Sequence, residues 1–365
     1  MDNTSEVMLS DGNFSILFGG QSPEHPASVS SFENVLDSFK KERLDGKIIS
    51  IYYFTKDGSV LFNDYSAEKK NRDYIELGVF YDINTAIKKL STERTFHINL
   101  LHGNLGEDGH IQGVAKYFRL MGSYGSVLPS SLAMSKYHMA HFVSSIISSI
   151  QMPETIFLNS NNYHDALGLI KNTFSNSEVV IKPNSLGASL FTNKYLINKY
   201  TEDSVCKNIN KIFEYDNFGL IQKFVYGTEY SVGCVNLRGD IIGLPVVEIK
   251  TIDGFFGHEE KHKKNKAQEI VHINDTPITI ELKRLAIEIF ESTGFEYMCR
   301  FDFIVTEYGD IYFLEANPIP GLMMNSIFPK MLKEKGISIP DLFYSFKSVQ
   351  QQMPSKEVII DYTIE

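Results

Sequence analysis

The 365-residue chain carries 35 Lys and Arg against 45 Asp and Glu, a formal net charge of −10. That balance argues against a general nucleic-acid binder while leaving room for a local basic pocket. Hydrophobic content of 43% with 22% charged residues is that of an α/β globular protein long enough for two or three packed units.

No apolar run is long enough to cross a bilayer, and the N-terminal residues lack a signal-peptide pattern, so a cytoplasmic protein without a membrane partner is expected. Cys206, Cys234 and Cys299 are scattered without CxxC spacing, which predicts reduced thiols rather than a metal framework.

Residues 1–13 read as a polar arm. Phe14-Ser-Ile-Leu-Phe-Gly19-Gly20 predicts a buried strand ending in a glycine turn, followed by a helix with Val29, Phe32, Val35, Leu36 and Phe39 on one face. A second strand is expected over Lys47–Phe54, a turn at 56–59, a polar insertion at 64–77, and a further strand over Thr95–Leu101. The last runs into the loop His102-Gly-Asn-Leu-Gly106-Glu107-Asp108-Gly109 and a helix to about Leu120. Strands alternating with helices imply a parallel sheet, with ligands beyond its carboxyl edge, where both glycine turns lie.

Ser135 is the expected N-cap of a helix carrying Met139, Phe142, Val143, Ile146, Ile147 and Ile150 at helical spacing. A strand Val179–Lys182 then turns through Pro183–Ser189, and a helix near 202–213 closes a small α+β unit. Strands are predicted near 219–225, 228–236 and 240–248, then a charged loop at 257–265. A helix from about Ile278 should end at Thr293-Gly294. The acidic hairpin follows, and a helical tail runs to about Gln350.

In that hairpin, Met298–Val305 places Arg300 and Asp302 on one side and Cys299, Phe301 and Phe303 on the other. A two-residue turn at Tyr308-Gly309 would pair Asp302 with Glu315 and Arg300 with Asn317. Like charges opposite each other need a counterion, and two carboxylates with an amide oxygen suit a hard cation, Mg²⁺ above all. A solvated charged face would have the same pattern.

The hairpin continues into Asn317-Pro-Ile-Pro320-Gly321, a stiff loop with a backbone N–H at Gly321, and a helix from near Asn325 turns its positive end to that loop. Lys182, at a strand end before a small-residue loop, could meet a phosphate. Lys136, in the first turn of its helix, opposes the helix dipole, which suggests a ligand more than a structural role. Glu24, at the first glycine turn, could hold an ammonium or serve the start of its helix. His102 closes a strand before a glycine, a position that is more often structural than catalytic.

Taken together, these segments resemble the D-alanine–D-alanine ligase family of ATP-grasp enzymes from Ile16 to about Asp341. The carrying stretches are Leu17–His25, Leu101–Gly113, Ser131–Lys136, Ile181-Lys182-Pro183, Arg300-Phe-Asp302 and Leu314-Glu315-Ala-Asn317. The resemblance implies a three-domain ATP-grasp architecture, with an N-terminal α/β unit at 1–125, a central lid at 126–215 and a C-terminal unit at 216–365. It implies an enzyme that joins two amino acids with ATP and two Mg²⁺ ions at Asp302, Glu315 and Asn317, and that works as a homodimer.

By the same resemblance Lys136, Lys182 and Ser189 meet the phosphates, with Lys261 of the charged loop also on the nucleotide side. Gln222, Lys223, Val225 and Glu229 form the base and ribose hinge, Gln222 standing where an acid is common. Glu24 orients the first ammonium and His102 stands beside it. Arg300 and the Gly321 amide face the oxyanion, and Ser326 anchors the second carboxylate.

Two departures are expected to alter specificity. The family's pair of loop serines is Ala188-Ser189 here, and the loop tyrosine position corresponds to a histidine, either His262 or His258. A histidine in that loop accompanies family members that take a hydroxy acid, so a non-standard dipeptide or a depsipeptide is the alternative product. An inactive nucleotide-binding relative is a further reading, opposed by the complete Asp302, Glu315 and Asn317 set.

Overall fold

The computed structural model describes residues 13–251 and 267–352. The polar arm before Asn13 and the loop carrying His258, Lys261 and His262 lie outside the described residues. Three sheets organise the remainder.

The first sheet runs β4-β3-β2-β1-β5, from β1 (Phe14–Gly19), β2 (Ile48–Phe54), β3 (Val60–Asp64), β4 (Val79–Tyr81) and β5 (Phe96–Asn99). The β1 strand pairs in parallel with β2 and β5, and β3 and β4 are added antiparallel. Every residue of β1 is buried because both faces are covered. Alternation sends Phe14, Ile16 and Phe18 into one core with Phe32, Val35, Leu36 and Phe39 of α1 (His25–Lys41), and Leu17 into another with Ala86, Ile87, Leu90 and Ile111. The polar insertion holds one short helix, α2 (Asp73–Glu76). The helices α3 (Ile83–Thr92) and α4 (His110–Tyr117) cover the second face, and α4 ends three residues early because Arg119 adopts a left-handed φ of 54°.

The helix α5 (Val127–Met134) precedes α6 (Lys136–Ile146), whose apolar side, Met139, Ala140 and Val143, packs into the core of the third sheet with Val232, Phe301 and Ala316. Ile150, expected in this helix, instead lies in β6 (Ile150–Gln151), which pairs with the last strand of that sheet. The second sheet is antiparallel, β7-β10-β8-β9, from β7 (Thr155–Leu158), β8 (Glu178–Pro183), β9 (Asn193–Leu196) and β10 (Gly219–Lys223). Its α7 (Ala166–Phe174) and α8 (Glu202–Phe213) pack on Val179, Ile181 and Ile221. By the period of two, Val180, Lys182 and Gln222 are left on the opposite face. Inside the expected 126–215 segment, α5 and α6 thus pack with the third sheet; beyond it, β10 pairs with β7 and β8.

The third sheet runs β14-β13-β11-β15-β16-β6, with β12 beside β11. Its strands are β11 (Thr228–Leu237), β12 (Asp240–Gly243), β13 (Val247–Thr251), β14 (Ala267–Val271), β15 (Met298–Val305) and β16 (Ile311–Asn317). The single strand expected over 240–248 is divided because Pro245 lacks an N–H to continue the ladder. The helix α9 (Pro277–Thr293) starts at Thr276, whose hydroxyl accepts the Thr279 N–H, and stops at Gly294 with φ 83°. Two further helices, α10 (Ile327–Lys335) and α11 (Ile339–Gln352), place Phe328, Met331, Phe343 and Phe346 in the core shared with β1 and α1. Cys234 and Cys299 are buried free thiols opposite each other on β11 and β15, and Cys206 is half-buried. Among the described residues no helix is long and apolar enough to cross a membrane.

Candidate active site

A cleft opens between the second and third sheets. Its walls carry Lys136, Lys182, Ser189, Gln222, Lys223, Val225, Glu229, Asp302 and Glu315. Nine residues expected from sequence therefore meet in one place, from four separate segments of the chain. The apolar wall, including Pro153, Val180, Phe224 and Ile304, was not anticipated. Strand alternation carries that signal: Val180 shares a face with Lys182, and Ile304 with Asp302.

The acidic end is built by β15 and β16. Asp302 faces Glu315 and Arg300 faces Asn317, the predicted register. The turn differs. Thr306 N–H bonds to Asp310 O at 3.0 Å around a three-residue loop in which Gly309 has φ 88°. A bulge between Asp302 and Phe303 then restores the pairing, and it also turns the adjacent Leu314 and Glu315 toward the cleft together.

The counter-charge opposite the two acids comes first from the chain itself. Arg300 grips Asp302 through Nε at 3.0 Å and Nη2 at 2.8 Å, and Nη2 stands 3.9 Å from Glu315. Ser231 Oγ donates to Asp302 Oδ1 at 2.6 Å, so this 3% exposed carboxylate is fully engaged. Burial works against the Arg300 charge, but Asp302 above all, then Glu315 and Glu229, holds the guanidinium firmly protonated. Asn317 turns Nδ2 to Asp302 Oδ2 at 3.4 Å, which leaves its carbonyl oxygen as the acceptor end. Among the described residues no three His, Cys, Asp or Glu side chains gather for a metal; the third oxygen donor is this amide. Two carboxylates and an amide are hard oxygen donors, and they fit Mg²⁺.

The basic end depends on a bridge between segments. Lys136 Nζ donates to Leu186 O at 2.8 Å and lies 3.7 Å from Glu315. Ser135 occupies the N-cap position, but its hydroxyl makes no capping bond. The cap comes from Asn184, whose Oδ1 accepts the Tyr137 N–H at 3.0 Å while its backbone O accepts the Lys136 N–H at 3.1 Å. The Ser135 hydroxyl turns to His138 and Asn184 instead. Asp216 fixes the same loop by accepting the Ser185 N–H at 2.6 Å. Beyond it Ala188, Ser189 and Phe191 have φ of 52°, 53° and 55°, a strained run of side-chain-bearing residues beside the cleft. Lys182 is only 9% exposed.

Glu24, His102 and Gly321 form a second cluster at the carboxyl edge of the first sheet. A methyl group on Gly187 would run into the Glu24 carboxylate, and one on Gly103 would overlap Ser22 Oγ with Glu24 Oε1 close behind it, so this side chain lies between the two loops. His102 is buried against Ser31 Oγ at 3.1 Å, and burial lowers its pKa to about 4, which leaves it neutral at neutral pH. The loop bearing Gly321 is held by α1: Ser31 accepts the Leu322 N–H at 3.1 Å and Asn34 donates to Leu322 O at 2.7 Å. Ser326 stands at the N-cap of α10 without making a capping bond, beside Gly321.

Sequence reasoning quoted Glu107 without giving it a role. It is 8% exposed, Oε1 accepts the Gly103 N–H at 2.8 Å, and Oε2 is buried without a well-aligned partner. Burial and then the charge of Glu24 push this carboxyl well above the usual range, against the pull of the Gly103 and Ile319 amides and Arg300. Its neighbours Asp108 and Gln112 serve the loop itself, accepting from Leu105, His110 and Gly109.

Residues 13–122 match the family description "D-ala D-ala ligase N-terminus", and residues 151–346 match "D-ala D-ala ligase C-terminus". The chain belongs to the D-alanine–D-alanine ligase family. As a member it is an ATP-dependent ligase of small-molecule substrates, and membership implies ATP and Mg²⁺. Solved structures share its ATP-grasp fold at low sequence identity. The VanG D-Ala:D-Ser ligase from Enterococcus faecalis superposes with a TM-score of 0.75 at 22% identity, covering 93% of this chain and 99% of that one. The D-alanine–D-alanine ligase from Coxiella burnetii gives 0.70 at 21%, covering 93% and 95%. D-alanyl-alanine synthetase A from Vibrio cholerae gives 0.69 at 20%, covering 93% and 98%.

Proposed function

We propose that this ligase joins two amino acids into a dipeptide through an acyl phosphate, with D-Ala–D-Ala as the leading product. The observation that carries the reading is the cleft with an apolar wall at one side and Lys136, Lys182, Asp302 and Glu315 converging at the other.

A free carboxylate is a poor electrophile until the γ-phosphoryl group of ATP is transferred to it, a step governed by positioning and charge. Lys136 and Lys182 neutralise the phosphates, while Ser189 and the amides of its loop cradle them. Gln222, Lys223, Val225 and Glu229 seat the base and ribose. Asp302, Glu315 and Asn317 would hold the two proposed Mg²⁺ ions, which would supply charge neutralisation for the phosphates.

Glu24 binds the ammonium of the first amino acid, next to His102. The second substrate, its carboxylate at Ser326, attacks the acyl carbon with its amine. Arg300 and the Gly321 N–H stabilise the oxyanion, and phosphate leaves. By the family resemblance, Lys261, His258 and His262 are assigned to keeping water from the intermediate. Three packed units forming a homodimer in the cytoplasm are the proposed working state, with residues 126–150 counted with the C-terminal unit.

The alanine at position 188, where the resemblance leads one to expect a serine, follows Gly187, which lies against Glu24, and it favours a second reading in which the substrate pair is non-standard. The solved VanG enzyme is titled a D-Ala:D-Ser ligase, and a hydroxy acid would give a depsipeptide. A screen of amino-acid and hydroxy-acid pairs, scored by Mg²⁺-dependent ADP release and product mass, tests both readings. Absence of substrate-stimulated ADP release with every pair would sink the ligase reading in favour of an inactive relative. If His258→Ala with His262→Ala leaves the amine-to-hydroxyl preference unmoved between about pH 6 and pH 9, the loop histidines do not select the nucleophile.

A further inference from the structure

We propose that Thr155 sets the base selectivity of the nucleotide site by locking the orientation of the Gln222 amide. The proposal rests on the reading of the cleft as an ATP site and adds a positioning residue that lies outside the set expected to touch the nucleotide.

Thr155 Oγ1 lies 2.6 Å from Pro153 O, and a carbonyl oxygen can only accept. The one hydroxyl proton of Thr155 is therefore committed to Pro153, since two bare oxygens so close would repel. Gln222 Nε2 lies 3.0 Å from the same Thr155 Oγ1. With its proton spent, Thr155 can only accept, so the Gln222 group that faces it must be the NH₂. A flipped amide would set Oε1 against a hydroxyl oxygen with no proton to give. The orientation of Gln222 follows from the partners rather than from its own shape.

The fold enforces this contact. Thr155 of β7 and Gln222 of β10 are directly opposed across an antiparallel pair, so their side chains share a face. On the other side Gln222 is opposed to Val180 of β8, which cannot hydrogen-bond through its side chain. The side chain of Gln222 is sandwiched between one hydroxyl and one apolar neighbour, and the residue is only 8% exposed, so water cannot readily take the place of Thr155. Gln222, Val180 and Pro153 all line the cleft beside Phe224.

With the NH₂ drawn to β7, Gln222 offers its oxygen to the base edge. An exocyclic amine, as on adenine, can donate to that oxygen; the carbonyl of hypoxanthine or guanine would meet it acceptor to acceptor. A carboxylate at this position would need no orienting partner, because both of its oxygens accept. An amide does need one, and Thr155 supplies it.

The test compares the dissociation constants of ATP and ITP for the full-length protein with Mg²⁺, by calorimetry, because the two nucleotides differ at the group Gln222 faces. The wild type should prefer ATP. Thr155→Val should cut the ATP-to-ITP preference by about tenfold or more, chiefly by admitting ITP through the flipped amide. Thr155→Ser should keep the preference, and Gln222→Glu placed in Thr155→Val should restore it. A preference unmoved in Thr155→Val, with both nucleotides weakened equally, would show a merely structural threonine and overturn the proposal. If the wild type binds ATP and ITP alike, Gln222 does not read the base, and the proposal falls while the ligase reading stands. If it binds neither nucleotide, the ATP reading falls and this one with it.

Discussion

The Glu24 carboxylate lies directly against the backbone of Gly187, so the first loop of the N-terminal sheet touches the loop that follows β8. Contact of this kind joins the end of the site proposed for the first amino acid to the end proposed for the phosphates. It needs a residue without a side chain at position 187, since a methyl there would overlap Glu24 Oε1. The obstacle is the far end of a flexible side chain, so the fold can yield where the site cannot. Gly187→Ala should therefore raise KM for the first amino acid about tenfold, equivalent to ~1.4 kcal/mol, with ATP affinity changed far less. Equal losses for both substrates in steady-state kinetics would show that Gly187 serves the loop rather than Glu24.

Asp302 and Glu315 should part company when each is replaced. Glu315 is half-buried, with Lys136 at 3.7 Å and Arg300 at 3.9 Å. Its loss should reduce turnover by at least about a hundredfold, as expected for removal of a charge-stabilising group, with little change in melting temperature. Asp302 is buried with two bonds from Arg300 and one from Ser231. Asp302→Ala leaves that guanidinium without its main partner and should cost about 3–5 kcal/mol of stability in addition to abolishing activity. Calorimetry of the two variants separates the roles; equal melting temperatures would mean that Arg300 finds another partner. Near-normal ADP release by Glu315→Ala would remove the metal site.

Lys182 is the clearest probe of nucleotide binding. Its ammonium end reaches the cleft from a strand whose other face is packed on α7 and α8. Charge in a partly desolvated cleft is strengthened relative to water. Lys182→Ala should weaken ATP about tenfold to a hundredfold, and leave amino-acid binding nearly unchanged. Unchanged ATP affinity in a titration would place Lys182 outside the site.

How far the site was legible follows from which interactions are local. Period-two alternation placed Arg300, Asp302, Glu315 and Asn317 together without knowledge of the fold. The turn was misread by one residue, and the bulge beside Asp302 offset it, so the expected pairing survived for a reason the pattern does not contain. The cap of α6 illustrates the opposite case. Ser135 has the right residue type in the right place, yet the orphan N–H of Tyr137 is met by Asn184, distant in sequence. Long-range partners of that kind leave no periodic trace. The same holds for Glu107, whose carboxyl is perturbed by burial and by Glu24, neither of which its own neighbours in sequence reveal.

Buried histidines should make the protein acid-sensitive. Burial lowers His97 to about 3 and His102 to about 4, so the folded chain keeps both neutral where the unfolded chain protonates near its ordinary value. Between those limits the unfolded state binds more protons, and stability falls as pH falls. Glu107 acts with the opposite sign. Its raised pKa means that the folded state holds the extra proton, and that contribution fades as pH rises. Replacing one group isolates its share. His97 contacts Tyr124 through Nδ1 at 2.9 Å, a bond that a glutamine amide can imitate. Between about pH 7 and pH 5, wild type should lose about 2 kcal/mol more than His97→Gln, by the usual ~1.36 kcal/mol per pH unit below the unfolded histidine pKa. Denaturant melts of the two proteins at each pH give the difference directly. Parallel curves would mean that His97 titrates alike in the folded and unfolded protein, and the burial argument for it would fail.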